Sequence, residues 1–173
     1  QQPNFTAAME NKFSELREVQ SRLASFDIGS WPVSEQIDYH LVRAEMNGLE
    51  FQLRVLRPWV RDPAFYIEGR GGLGRFPELP IGEDYLSEFQ SRLIAIPSHY
   101  EQARTNLGGG NISEIPGDLA ILAIRRLKEN DDSFGEFFRQ LSEHHPALVA
   151  DAQRAQAAID GYLAWLQENR SQM

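Results

Sequence analysis

SEQIDYHLVRAEMNGLEFQLRVLR, residues 34–57, holds the reading that decides the fold. At about 100° per residue on a helical wheel, Ile37, Leu41, Ala44, Gly48, Phe51 and Val55 fall on one stripe. Val42, Met46, Leu49, Leu53 and Leu56 fall on a second. Between the two stripes runs a narrow polar lane of Asp38, Glu45 and Gln52, while Arg43, Asn47, Glu50, Arg54 and Arg57 take the opposite, broader face. A period-two strand would scatter these sets, so the stretch is a helix. Pro32 breaks the chain before it, Ser34 opens it and Pro58 ends it, giving a rod roughly 35 Å long.

Two apolar stripes predict a helix buried on two sides, with the lane between them forced inward. An unpaired buried carboxylate costs several kcal/mol, so Asp38 and Glu45 are expected to meet arginines or backbone donors. The alternative is a lane that opens on a cavity and holds a cation or small ligand. Helix positions seven apart are separated by about 10 Å of rise, a poor chelating distance. His40 lies beside the first stripe with no second histidine four residues away, and a packed, hydrogen-bonded ring is expected.

Outward from this helix, helical spacing recurs along the chain. Helices are expected at about 4–26, 34–57, 83–107, 117–130, 133–145 and 147–169. Pro97 is expected to kink or split the third, and Asp132 or Ser133 to cap the fifth. Residues 58–82 alternate Pro58, Pro63, Pro77 and Pro80 with several glycines and read as one long loop. No β-branched run of period two competes, so the fold class is all-α, a bundle of about six helices in one domain spanning 1–173.

Composition narrows the function. With 173 residues, 42% of them apolar, one hydrophobic core is attainable without staples. No cysteine is present, which removes disulfides, thiolate nucleophiles and cysteine-based zinc sites together. A net charge of -8 argues against a nucleic-acid partner, because phosphate binding needs concentrated cations. No run approaches the roughly 20 apolar residues of a membrane span. The first residues, QQPNF, include no initiator methionine, and a processed protein or an excised segment is expected.

The chemical motifs are weak. EHH at 143–145 has the residue types of a zinc motif in the wrong order, and His144 and His145 read as cations closing a helix before Pro146. GRGGLG at 69–74 satisfies a dinucleotide pattern literally, but no strand precedes it and prolines follow. The acidic run ENDDSFGEF, 129–137, lacks the alternation of a calcium loop. No catalytic and no metal-binding residue is assigned, and the chain alone is not expected to be an enzyme. For a ligand or interdomain contact, Arg57, Trp59 and Arg61 combine two anion-binding forks with a large anchor. The competing reading is that Trp59 simply seals a helix end.

WPVSEQIDYHLVRAEMNGLEFQLRVLRPWVRDPAFY, 31–66, resembles the amino-terminal region of a bacterial family catalogued as a domain of unknown function, numbered 885. The marks are Gln36 to His40, Leu41 to Glu45, Leu49-Glu50-Phe51, Arg57-Pro58-Trp59 and Asp62-Pro63. IPSHYEQARTNL, 96–107, and AAIDGYLAWLQEN, 157–169, extend the resemblance over nearly the whole chain. It implies a helical front segment of an often exported or lipid-anchored protein related to gluzincin peptidases, whose HExxH motif lies in a later part. This sequence contains no HExxH, so zinc is expected only with that part. The expected partner is the remainder of the peptidase-like protein, a second copy, or peptides. A face meant for an absent body should be exposed and apolar. The alternative is an autonomous helical interaction module.

Overall fold

The computed structural model describes residues 5–68, 76–109 and 112–173, with side chains at all of these except 5, 68 and 130–133. The fold is all-α, and no strand occurs among the described residues. Where a single domain was expected, the chain divides into two compact units, 1–58 and 59–173.

The first unit is a helical hairpin. Helix α1, Phe5–Ala24, packs beside α2, Val33–Phe51, and Gln20 Nε2 donates to a Glu50 carboxylate oxygen at 3.1 Å. Trp31 in the connecting turn meets Phe26 and Tyr39 ring to ring, at 5.8 and 6.3 Å between centroids. α2 does not run on to Pro58 as a regular helix. Residues Gln52–Leu56 widen into a π-helical turn, closed by the Arg57 N–H on the Gln52 carbonyl at 2.9 Å. A residue before proline is steered out of the right-handed helical region, and Arg57 takes the left-handed conformation at φ 45°. Such a conformation costs a non-glycine residue about 1–3 kcal/mol.

The second unit is built on three long helices: α5, Glu83–Gly108; α6, Gly117–His144; and α7, Val149–Asn169. α5 and α7 each carry a seam in alternating steps of four and three residues. On α5 it is Phe89, Leu93, Ile96, Tyr100, Ala103 and Leu107; on α7, with the preceding turn, Leu148, Ala152, Ala155, Ile159, Tyr162 and Leu166. All are buried, and α5 and α7 share the most extensive contact of any pair of elements. Burial of this kind stabilises by about 1.5–3 kcal/mol per large side chain.

The sequence reading separated 117–130 from 133–145; the structure shows α6 unbroken across them. Its seam, Ala120, Ala123, Leu127, Phe134, Phe137 and Leu141, keeps the same phase on both sides of the acidic run. Tertiary burial thus overrides the modest helix preference of Asn, Asp and Ser. The expected caps at 132 and 133 lie outside the described side chains. Likewise α5 continues through Pro97. It ends at Gly109, where a Cβ would stand 2.5 Å from the Thr105 carbonyl oxygen that the Gly109 N–H bonds, so only glycine permits the approach.

The expected loop 58–82 is partly helical. It contains two single turns, α3, Pro58–Arg61, and α4, Phe65–Glu68. The glycine-rich 69–74 motif lies outside the described residues. Beyond it, Phe76 stacks on Phe137 at 4.3 Å and meets Phe134 edge-on at 5.0 Å.

Candidate functional site

The polar lane is the first correction. Asp38, Glu45 and Gln52 are all exposed, and α2 contains no buried residue. The reason lies in which side of α2 meets α1. That side carries Gln36, Tyr39, Met46, Glu50 and Leu53, which are half-buried. The stripe expected in a core, Ile37, Leu41, Ala44, Gly48, Phe51 and Val55, is exposed along its whole length. Ile37 is 54% exposed, Leu41 60% and Phe51 51%, values that belong to surface side chains. His40 is exposed too, its ring edge-on to Tyr39 at 5.4 Å, and is not the packed histidine expected.

Arg57 and Arg61 are exposed, whereas Trp59 is buried with 5% of its surface accessible. Trp59 is thus an interior side chain of the second unit and not an exposed anchor. Its indole Nε1 has no hydrogen-bond partner among the described residues. Its carbonyl accepts a 2.5 Å bond from the Tyr66 hydroxyl.

That bond belongs to a polar network the sequence reading did not identify. Asn106 Nδ2 donates to the Tyr66 hydroxyl at 2.9 Å, and His99 Nε2 lies 2.8 Å from the Tyr66 carbonyl, which fixes that nitrogen as the donor. The Tyr162 hydroxyl donates to the Pro63 carbonyl at 3.0 Å. Tyr162 lies between Tyr100 and Trp165, with ring centroids at 4.9 and 6.1 Å. Burial pushes Tyr66 and Tyr100 up to about 12, with the Asn106 bond opposing the rise at Tyr66. Burial likewise raises Tyr162, helped by Tyr100, Tyr66 and Asp62. It lowers His99 against the opposing pull of the Tyr66 carbonyl. Neutral tyrosines and a neutral histidine make a tether that pins 59–67 to α5 and α7. No periodic signal in the sequence marks it.

His145 also differs from expectation. Rather than a free cation at the end of α6, its Nε2 accepts the Ile81 N–H at 2.8 Å; His144, the last residue of α6, is exposed. An accepting nitrogen requires the neutral ring there.

Two open grooves accompany these features. One, about 420 Å³, lies between α6 and α7, floored by Phe138, Val149 and Ala152 and rimmed by Gly135, Arg139, Ser142, Gln153 and Gln156. Arg139 is already engaged by Glu136 and Glu143, each at 2.7 Å, and the hydrogen bonds that Glu136 accepts from Arg139 and Gln140 hold its carboxyl down at about 2. Nearby Asp151 is buried, accepts from Gln90 at 3.0 Å and pairs with Arg154. The other groove, about 400 Å³, lies in the hairpin between Gln20, Leu23 and Ala24 of α1 and Tyr39, Arg43, Met46, Asn47 and Glu50 of α2. Neither presents a nucleophile beside a base. Among the described residues no three His, Asp or Glu side chains converge on a point where an ion could sit. The zinc implied by the family resemblance has no ligand set on them, and no metal-dependent step is assigned to them.

No protein-family model matches the chain, and no curated protein matches it. Among solved structures it is similar to a "putative lipoprotein of unknown function" from Shewanella oneidensis. The two share 21% sequence identity at a TM-score of 0.62 over 96% of this chain. The likeness establishes a shared fold. It covers 31% of the Shewanella protein, so this chain spans about a third of that protein's length.

Proposed function

We propose that this chain is a non-catalytic helical domain that packs against, or lines the cleft of, a larger body outside it, in the manner of the amino-terminal region of the zinc-peptidase-like family it resembles. One observation carries the reading: α2 exposes an apolar stripe from Ile37 to Phe51, over roughly 21 Å of helix, and Val55 in the π-helical turn beyond it is exposed too. Contiguous apolar surface of this kind is a contact surface. A solved protein about three times as long, about a third of which shares this fold, gives a precedent for such a body. That protein's description as a lipoprotein supports an exported setting. No helix among the described residues is long and apolar enough to cross a membrane.

Hydrogen exchange tests the reading. The chain alone and the complete reading frame from which it comes are compared for protection of the amides of 37–55. Protection at least ten-fold greater in the longer protein is expected. Equal protection in both defeats the proposal and leaves an autonomous interaction module, the second reading of the sequence.

A further inference from the structure

The stripe on α2 has the spacing of a helix-pairing seam, and the same molecule supplies the standard of comparison. Ile37, Leu41, Ala44, Gly48 and Phe51 follow steps of four, three, four and three along α2, and Val55 follows in the π-helical turn. The buried seams of α5, from Phe89 to Leu107, and of α7, from Leu148 to Leu166, follow the same steps, and each is covered by other helices of its unit. A seven-residue repeat keeps one line of side chains facing a neighbouring helix running alongside. Within the first unit that line faces no helix among the described residues, and a Cβ placed on Gly48 would meet nothing within 4 Å.

We infer that the α2 seam is the seat of a single α-helix of another polypeptide segment, about four turns long, with bulky apolar residues at its centre and lysine or arginine along one edge. The inference rests on the docking role proposed above and specifies the chemistry of what docks. Two features set that chemistry. Ala44 and Gly48, the small residues at the middle, leave a notch between Ile37 and Leu41 on one side and Phe51 and Val55 on the other, so the occupant's largest side chains belong at its centre. One edge of the seam carries Asp38 and Glu45, both exposed, while the other carries His40, Asn47 and Arg54. Charges flanking such a seam select the partner and its orientation. The acidic edge therefore calls for cations opposite it.

A second copy of the chain fits less well. In either orientation with the seams centred on each other, small residues face small residues and the notch stays empty. In the antiparallel arrangement Glu45 also faces its own counterpart.

The test uses two synthetic 21-residue amphipathic helices with leucine on a heptad seam and phenylalanine at its centre, one with lysine and the other with glutamate on the edge. Each is titrated against the 173-residue chain by fluorescence anisotropy. The lysine-edged peptide is expected to bind at least ten-fold more tightly. Phe51→Glu should abolish that binding without changing the circular dichroism of the chain. The double variant Asp38→Asn, Glu45→Gln should remove the preference between the peptides while retaining binding. Equal affinity for both peptides, no binding of either, or binding that survives Phe51→Glu overturns the inference. So does a chain that sediments as a dimer and becomes a monomer with Phe51→Glu, which would assign the seam to a second copy. If the longer protein protects 37–55 but the peptides are not distinguished, this inference fails while the docking role stands.

Discussion

α2 and α5 are written in the same repeat and meet opposite fates. On α5, Phe89 and Leu93 have no accessible surface; on α2, the equivalent stripe keeps about half of each large side chain in water. Spacing thus declares that a helix can pair but does not say with what. In the second unit the partners are on the same chain, α6 and α7, and the seams close. In the first unit α1 takes the side of α2 bearing Tyr39, Met46 and Glu50, and the better apolar stripe is left over.

The sharpest way to break this contrast is to truncate matched leucines. Leu93→Ala should destabilise the second unit by about 2–5 kcal/mol, the range for a large-to-small change in a closed core. Leu41→Ala should change the stability of the isolated chain by no more than about 0.5 kcal/mol, as for other surface positions. Urea denaturation followed by circular dichroism measures both, and a comparable loss in the two would mean that α2 is covered after all.

The tether across the second unit comes next. Tyr66→Phe removes the donor to the Trp59 carbonyl and the acceptor of Asn106, leaving buried polar groups unsatisfied at a cost of about 1–3 kcal/mol. The same denaturation experiment reads it. Among the described residues no side-chain hydrogen bond of the α2 stripe offers a counterpart, so the effect separates a built interior from an open face.

Changes of pH sharpen the contrast further, with signs fixed by the direction of each shift. The folded-state value of His99 is lowered, so the unfolded chain takes up its proton first. Stability conferred by the neutral ring is then lost as pH falls below about 6.5. At the alkaline end the unfolded tyrosines ionise near 10, whereas folded Tyr66 and Tyr100 hold their protons until about 12. Stability is complete below 10 and drains away between 10 and 12. Thermal melts should show a Tm that declines in both windows, and His99→Gln should flatten the acidic one.

The smallest effect is expected in the open helix. Gly48→Ala places a methyl where nothing lies within 4 Å and should stabilise α2 by about 0.5–1 kcal/mol, through lower backbone entropy in the unfolded chain. Helicity of the isolated chain near its melting point reports it.

Much of the fold was legible because periodicity survives any tertiary arrangement. Five long helices sit close to where the apolar repeats place them, and the repeat from Leu148 to Leu166 marked the last one without ambiguity. The break proposed within α6 failed because Asp132 and Ser133 suggest a cap only while the phase of Leu127 and Phe134 is ignored. The tether was hidden for another reason: Tyr66, Asn106 and Tyr162 are far apart in sequence, and hydrogen-bond partners leave no periodic trace. The buried lane failed because a wheel ranks the faces of a helix without knowing how many neighbours it has.

By itself, then, the sequence determined an all-α protein, its long helices, and the stripes along which they can pair, since these follow from local geometry and the alternation of apolar and polar residues. Only the tertiary structure decided which stripes close. It buried Trp59, tied Tyr66 to Asn106 and His99, divided the chain near Pro58, and left the stripe of α2 in water. Burial depends on how many surfaces compete for each face, a property of the assembled helices rather than of any one of them.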